Sequence, residues 1–339
     1  MSNVKFTNKL NLPEPLVNAL QYDSHRMMGH VSVTQLIEPP RIRVLKKFIE
    51  KEEDVTDRMW MLWGSAIHNI LEKSNMSGKN KDAIRTVANL FKSKSQAQDD
   101  TYDRVANYLK SEEEKLVFDP NERYIIEKTF VAPIEGWDLC GTVDLYDKEK
   151  QIIQDWKLCK TYKWTSAESR KQWIKQLNVY AWLLEKNGFP VKGLQIVPFF
   201  RDWTALTHKY KSQRGQDYPD TEVAIIDIPL KPLDQIEAYV KSCIKDHQRA
   251  EDGEVRDCTG EERWAEADVY AVMVEGGSRA KFKFATYEQA QNYIEEFGYK
   301  FVKPLYVQHR PGKSKRCEEY CPVFEQCPQI KKIVPTILD

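Results

Sequence analysis

The chain has no long apolar run. None of its 339 residues lie in a stretch approaching the ~18 apolar residues that a membrane helix needs. Residues 1–16, MSNVKFTNKLNLPEPL, contain no apolar segment suited to a signal peptide. We therefore expect a cytoplasmic protein without a membrane partner, in which the seven cysteines are thiols or metal ligands rather than disulfides.

The chain also has no net charge, since 51 Lys and Arg residues balance 51 Asp and Glu residues. This excludes a basic coat over the whole surface, so any anion-binding surface must be a local patch. Hydrophobic residues make up 41% of the chain, which is ample for a core and excludes wholesale disorder. Without repeats or low-complexity tracts, the length fits one large domain or one domain with an appendage.

Local patterns predict an α/β protein. Pro13 and Pro15 argue against a helix near the start of the chain. Short runs rich in Ile, Val, Tyr and Trp predict a β-meander over residues 123–157. An amphipathic helix over residues 169–188 follows, with Gly188 at its C-terminal end. We expect a mixed β-sheet flanked by helices.

The sequence predicts three parts of the chain. They are an N-terminal extension at 1–30, a core at 31–252 with a helical insertion at about 75–118, and a C-terminal module at 253–339. Within the last part, a Gly276-Gly277 turn predicts a hairpin over residues 269–285. Thr286 and Gln289 then form a possible capping box for a helix, so this part reads as a small α+β module.

The motifs GTVD (141–144) and QDWK (154–157) carry charged residues on predicted strands. Asp155 and Lys157 share one strand face, and an adjacent antiparallel strand can bring Asp144 beside them. Two carboxylates with a lysine suit Mg²⁺ or Mn²⁺ and the hydrolysis of a phosphodiester. An Asp-x-Lys pair alone is more often a solvated strand edge, but apolar flanking residues make unpaired charges costly here.

Four motifs occur in a fixed order: Gly64-x-x-x-His68, GTVD, DWK and Gln176-x-x-x-Tyr180. In this order they resemble the RecB-type branch of the PD-(D/E)XK nuclease superfamily, and in particular phage exonucleases related to CRISPR-adaptation nucleases. The resemblance runs from about Val31 to Phe200 and implies a restriction-endonuclease-like core.

The resemblance implies roles for the residues of the metal site. His68 would add a nitrogen ligand to the metal, and Asp144 and Asp155 would be carboxylate ligands. The carbonyl of Trp156 is a further ligand candidate, and Lys157 would be the catalytic lysine. A histidine on an apolar helix is, by itself, more often a packed core residue.

Further roles concern the surroundings of the site. Gly64 would let two backbones approach closely. Glu127 would be an outer metal ligand or orient water, although a Glu on a half-exposed strand needs no special role. Gln176 and Tyr180 would contact DNA near the cut, the alternative being a core tyrosine and a surface glutamine.

A second signal is a cluster of cysteines, Cys317-x3-Cys321-x5-Cys327, preceded by Cys258. It resembles the C-terminal clamp of iron–sulfur nucleases, except that the first spacing is three residues where two is usual. The resemblance implies a [4Fe-4S] cluster that ties residue 258 to the tail. Four thiolates also suit zinc, and a cluster without metal is the third possibility.

A basic segment follows the DWK motif. It contains the candidate DNA-contacting residues Lys160, Lys163, Arg170 and Lys171. The aromatic residues Tyr162, Trp164 and Trp173 are interleaved with them, which suits a surface that tracks a nucleic-acid backbone and stacks on bases.

Together these features predict a Mg²⁺- or Mn²⁺-dependent deoxyribonuclease. We expect an exonuclease that acts on DNA strand ends with little sequence preference, in phage-type recombination or DNA processing. Its partners would be DNA and either a recombination protein or further copies of the chain. The alternatives are a DNA-binding subunit of the same fold that does not cleave, and a metal-stapled module for protein interaction.

Overall fold

The computed structural model describes residues 4–21, 28–49, 51–74 and 123–333. The predicted helical insertion at about 75–118 lies outside these residues. The helices are α1 (Glu14–Gln21), α2 (Val33–Ile37), α3 (Pro40–Lys46), α4 (Met59–Ser74), α5 (Ala167–Lys186), α6 (Ala205–Ser212), α7 (Leu233–Glu251), α8 (Tyr287–Phe297), α9 (Lys315–Tyr320) and α10 (Pro328–Ile333). Within the described residues, no helix combines the length and apolarity needed to span a bilayer.

In the described part of the chain, the strands belong to three sheets. They are β1 (Val4–Thr7), β2 (Val31–Ser32), β3 (Lys51–Asp54), β4 (Tyr124–Ile134), β5 (Trp137–Asp147), β6 (Ile152–Cys159), β7 (Gly193–Phe200), β8 (Ile226–Ile228), β9 (Val269–Val274), β10 (Phe282–Phe284) and β11 (Leu305–Arg310). The largest sheet is mixed, with the order β2-β5-β6-β7-β8 and with β4 paired to β5. The prediction of a mixed α/β fold is therefore confirmed.

Strand β5 pairs with three other strands of this sheet. It pairs with β4 in antiparallel fashion along almost its whole length. At one end of β5, Leu139 and Cys140 pair with β2, and at the other end, Leu145 to Asp147 pair with β6. The predicted β-meander is confirmed, because β4, β5 and β6 are consecutive antiparallel neighbours. Residues 141–144 lie between the β2 and β6 pairings.

Helix α5 covers one face of the sheet and packs against β4, β5 and β7. Its Ser166 N-cap accepts a hydrogen bond from the Ser169 amide, and Gly188 follows the helix with φ +82°, as the sequence predicted. Leu177, Leu183 and Leu184 are fully buried. Each contributes roughly 1.5–3 kcal/mol through burial, so α5 anchors the strands beneath it.

Gly141 allows α5 and β5 to approach closely. A Cβ atom at this position would lie 2.7 Å from Cε1 of Tyr180 and 2.7 Å from Cγ2 of Val33. These distances are far below a normal van der Waals contact, so the first residue of the GTVD motif is required by packing.

The N-terminal extension contains a helix, so the expectation from its prolines was wrong. Helix α1 begins at Glu14 and places Pro15 in the first turn, where an amide hydrogen has no partner within the helix. Leu20 is fully buried. Asp54 accepts hydrogen bonds from the Thr7 hydroxyl at 3.0 Å and the Lys9 amide at 2.9 Å, which hold the extension in place.

The chain separates into two compact units. One contains Phe6–Thr34 and Glu52–Ser242, and the other contains Met1–Lys5, Gln35–Lys51 and Cys243–Asp339. The segment of residues 35–51 thus belongs with the C-terminal part of the chain. The predicted boundaries at 31 and 252 stay predictions.

The second unit has its own antiparallel sheet, in the order β10-β9-β11. The predicted hairpin is present, with Phe282 paired to Val272. Helix α8 packs on this sheet, and its N-cap Thr286 accepts a hydrogen bond from the Gln289 amide at 3.2 Å.

Candidate metal centre

Two aspartates lie where β5 and β6 separate. The ladder between these strands ends at Leu145 and Gln154, next to Asp144 and Asp155. Beyond this point β6 continues to pair with β7. The Asp144 carboxylate accepts a hydrogen bond from the Trp156 amide at 2.6 Å. A side chain thus takes over where the ladder between the strands ends, and this fixes Asp144 against β6.

Three side chains gather around one point. Ligand atoms of His68 on α4, Glu127 on β4 and Asp144 on β5 all lie within 4.8 Å of one another. His68 Nδ1 is 2.6 Å from Glu127 Oε1 and 3.8 Å from Asp144 Oδ1. One imidazole nitrogen and two carboxylates form a donor set that suits Mn²⁺ or Mg²⁺. The residues present therefore fit a divalent cation.

Glu127 has a strained backbone. Its φ is +49°, in the left-handed region that residues with a Cβ rarely adopt. It lies opposite Asp144, between the pairs Ile126–Leu145 and Lys128–Val143. Such strain often marks functional positions. The sequence left the role of Glu127 open, because strain of this kind has no sequence signal.

Asp155 forms an ion pair with Lys157 in this structure. The distance between Lys157 Nζ and Asp155 Oδ2 is 2.6 Å, and Asp155 is only 2% exposed. Burial lowers the pKa of Lys157, but the nearby Asp155 and Asp144 outweigh this effect and raise it above its ordinary value. Lys157 is therefore a cation at neutral pH. The group of three ligand candidates consists of His68, Asp144 and Glu127. Asp155, which the sequence predicted as a ligand, pairs with Lys157 instead in this structure, and its role as a ligand stays a prediction.

Negative charge at this site is incompletely compensated. Burial raises the pKa of Asp144 to about 7, and the neighbouring Asp155 adds to the rise. Burial opposes protonation of His68, but its hydrogen bond with Glu127 raises the pKa of the imidazole. A divalent cation would stabilise the ionised carboxylates, which agrees with the chemistry of the donor set.

An open cavity of about 540 Å³ leads to His68 and Glu127. Thr129 and Thr142 also line it, and their hydroxyl groups are 2.8 Å apart. These two threonines were not predicted from the sequence. The signal was strand alternation, because Thr142 lies two residues before Asp144 and therefore on the same face.

Gly64 lines this cavity but does not serve a close backbone contact. A Cβ atom at Gly64 would meet nothing within 4 Å. The expected role was therefore wrong, because the helix at this point borders open space rather than another element.

Gln176 and Tyr180 lie on α5 and are buried, with exposed fractions of 9% and 7%. Burial raises the pKa of Tyr180, and the charge of Asp155 adds to this rise, while a hydrogen bond with Gln176 opposes it. Tyr180 therefore lies close enough to Asp155 to feel its charge. Contact of these two side chains with DNA stays a prediction.

The basic segment begins directly after β6. Lys160 and Lys171 are exposed, and Lys163 and Arg170 are partly exposed. Trp173 is only 4% exposed, so its predicted role as a stacking surface was wrong.

One cavity of about 20 Å³ is lined by the four candidate cluster ligands Cys258, Cys317, Cys321 and Cys327. Burial raises the pKa of Cys258 to about 12. The Gln329 side chain holds the backbone of Cys258 through two hydrogen bonds of 2.8 Å. Its Oε1 accepts from the Cys258 amide, and its Nε2 donates to the Cys258 carbonyl. Among the residues that the structure describes, no three cysteine sulfurs lie within 4.8 Å of one another.

Comparison with known proteins identifies the family. The sequence profile of the PD-(D/E)XK nuclease superfamily matches residues 42–328. No curated protein matches the chain. A solved structure described as "Crystal structure of SSO0001" is 15% identical, with a TM-score of 0.38, over 74% of this chain and 89% of that chain. Since the profile match spans most of the sequence, the chain belongs to the PD-(D/E)XK nuclease superfamily, which indicates a metal-dependent nuclease.

Proposed function

We propose that the protein is a Mg²⁺- or Mn²⁺-dependent deoxyribonuclease that degrades DNA from strand ends. The observation that carries this proposal is the group of His68, Glu127 and Asp144, with ligand atoms within 4.8 Å, beside the ion pair of Lys157 and Asp155. The group supplies a cation-binding donor set, and the ion pair supplies a fixed positive charge.

The side chains divide the work. His68, Glu127 and Asp144 would hold the cation, with Asp155 and the Trp156 carbonyl as further candidates. When bound, the cation would polarise the phosphodiester and lower the pKa of a water molecule. Lys157 would neutralise the charge that develops on the phosphate. Asp155 orients the Lys157 ammonium and keeps it charged.

The basic segment would hold the DNA backbone. Lys160, Lys163, Arg170 and Lys171 follow the strand that carries Lys157, so backbone contacts and the cleavage site lie on adjacent parts of the chain. Phosphate contacts carry no sequence information, which supports little sequence preference. Gln176 and Tyr180 would support the carboxylates, or contact the DNA strand after local rearrangement.

A finer assignment rests on the order of the sequence motifs. We propose the RecB-type branch, related to phage exonucleases and CRISPR-adaptation nucleases, with a cytoplasmic role in phage-type recombination or DNA processing. A recombination protein or further copies of the chain would then be its partners.

The cysteines are proposed to hold a [4Fe-4S] cluster as a structural staple, with zinc as the alternative. The support is their convergence on one cavity. Anaerobically purified protein should then be brown and absorb near ~400 nm. One bound zinc in colourless protein would replace the cluster with zinc.

The decisive experiment compares labelled linear and circular DNA in Mn²⁺ and in EDTA. We expect Mn²⁺-dependent shortening of linear DNA, and a loss of about 100-fold or more in Lys157→Ala. The matched control is Lys186→Ala, because Lys186 also pairs with a carboxylate, at 2.7 Å from Glu237, but on the far end of α5. Equal cleavage by wild type and Lys157→Ala would contradict the proposal. DNA binding without any cleavage would identify a non-cleaving subunit instead.

A further inference from the structure

Two large tryptophans are exposed on α4. Trp60 is 55% exposed and Trp63 is 56% exposed. Their spacing of three residues places them on one side of the helix. The adjacent side carries Gly64 and His68, which line the cavity of the metal group. Neighbouring exposed aromatic residues indicate an interaction site rather than a packed face.

An arginine stacks on the first tryptophan. The guanidinium carbon of Arg201 lies 3.6 Å from the centre of the Trp60 ring. Arg201 follows β7 directly, and its amide donates a hydrogen bond to the Cys159 carbonyl at 3.0 Å. It is thereby fixed at the end of β6, the strand that carries Asp155 and Lys157.

The charge of Arg201 is not neutralised by a carboxylate. Among the residues that the structure describes, Arg201 forms no ion pair, and its buried Nε has no hydrogen-bond partner. An arginine in this state offers a planar cation to an incoming anion. The ligand should therefore combine negative charge with a flat apolar surface.

Unpaired nucleotides have this combination. Bases stack on aromatic rings, and phosphates contact arginine. In a duplex the base faces are already covered by their neighbours, so only unpaired or terminal bases can stack on Trp60 and Trp63. A protein partner would cover the tryptophans without needing the charge of Arg201.

We propose that Trp60, Trp63 and Arg201 form a stacking platform for unpaired nucleotides of a DNA strand. The proposal rests on the proposed nuclease function and specifies its substrate, which is single-stranded or frayed where it enters the site. Trp60 lies about 12 Å from His68 along the helix axis, which corresponds to a few nucleotides. The platform therefore binds the strand just outside the cleavage position.

The test measures binding without cleavage. Fluorescence anisotropy in EDTA compares a single-stranded oligonucleotide with a blunt duplex of equal length. We expect Trp60→Ala and Trp63→Ala each to weaken single-strand binding about tenfold, and to change duplex binding much less. Trp60→Phe keeps an aromatic face and should retain most of the affinity, which shows that the effect is not misfolding.

A matched control is Tyr299→Ala. Tyr299 is 79% exposed and has Lys300 Nζ 5.6 Å from its ring, but it belongs to the other compact unit. We expect its replacement to leave binding unchanged. An oligonucleotide with abasic sites keeps the phosphates but removes the bases. The wild-type protein should bind this abasic oligonucleotide about as weakly as Trp60→Ala binds the intact strand. In Trp60→Ala, the affinity for the abasic and the intact oligonucleotide should be nearly equal.

Two results would overturn the platform. One is wild-type single-strand affinity in Trp60→Ala and Trp63→Ala, or an equal loss for single strand and duplex. The other is unchanged DNA binding with an altered oligomeric state, which would make this face a protein interface. Cleavage that needs Lys157 but not the tryptophans contradicts the platform alone. A tryptophan-dependent affinity in a protein that never cleaves contradicts the nuclease alone.

Discussion

At the residue scale, Asp155 shows that one carboxylate can serve a neighbouring lysine. Motif spacing predicted that Asp144, Asp155 and Lys157 would lie on adjacent strands, and the structure places them there. Spacing could not predict which carboxylate would pair with Lys157 and which would lie beside His68, because this depends on side-chain directions at the point where β5 and β6 separate. Glu127 joins His68 and Asp144 on a residue with a positive φ angle, and no local sequence pattern predicts such a backbone conformation at a glutamate.

The first residue-scale prediction concerns this ion pair. Asp155→Asn leaves Lys157 without its 2.6 Å partner, so the free energy of unfolding should fall by about 3 kcal/mol. Urea denaturation measures this change. Glu237→Gln, which removes the partner of an exposed lysine, should have a much smaller effect. Equal losses in both variants would show that burial does not distinguish the two pairs.

A second prediction concerns strain at position 127. The left-handed φ of Glu127 costs about 1 kcal/mol for a residue with a Cβ, and glycine avoids most of this cost. Glu127→Gly should therefore be more stable than Glu127→Ala by about 1 kcal/mol. Both variants lose the carboxylate, so chemical denaturation isolates the backbone term. Greater stability of the alanine variant would mean that the strain is absent in solution.

A third prediction concerns acid stability. The hydrogen bond with Arg123 lowers the pKa of the buried Asp147 carboxylate, at distances of 2.7 and 3.1 Å. A lowered folded-state pKa stabilises the protein above the unfolded value, and this contribution is lost as the pH falls through the folded value. Between about pH 6 and about pH 3, wild type should lose more thermal stability than Asp147→Asn. Melting curves test this, and parallel losses would contradict it.

At the element scale, periodicity predicted β4, β5, β6 and α5. Strands show apolar residues at every second position, and amphipathic helices show them every three or four residues. Periodicity missed α1, because the position of a proline within a first turn is decided by where the helix starts. The two-residue strand β2 was also beyond prediction, since its pairing with Leu139 and Cys140 is not local.

The two glycines of the motifs provide an element-scale prediction. Gly141→Ala places a Cβ 2.7 Å from Tyr180 and should destabilise the protein by about 1–3 kcal/mol, because α5 must move from β5. Gly64→Ala meets nothing within 4 Å and should stabilise α4 by up to about 1 kcal/mol. Thermal and urea unfolding of the two variants should shift in opposite directions, and shifts of the same sign would contradict this packing.

At the scale of the whole molecule, the balanced composition argues against a uniformly basic surface, but it could not predict how the chain divides into two units. Arg41 on α3 donates to Asp257 at 2.7 Å, across a separation of 216 residues. No local pattern signals such a contact, so the grouping of residues 35–51 with the C-terminal part of the chain could not be predicted from the sequence.

The last prediction tests the cysteine staple. If metal occupies the cysteine cavity, Cys327→Ser should lose that metal and melt several degrees lower. Cys243→Ser, on α7 of the same unit, should keep both metal and stability. Metal analysis with calorimetry measures the two quantities together. Wild-type protein without iron or zinc would contradict the staple.

The long-range bonding of Arg41 has a consequence for synthesis. Arg41 is 6% exposed and also donates to the Val255 and Arg256 carbonyls, which leave the ribosome long after it. At 5–20 residues per second, the delay over 216 residues is about 10–40 s. During this interval the Arg41 guanidinium has none of these three hydrogen-bond partners. Helix α3 therefore reaches its final set of hydrogen bonds only after the segment around Asp257 has been synthesised.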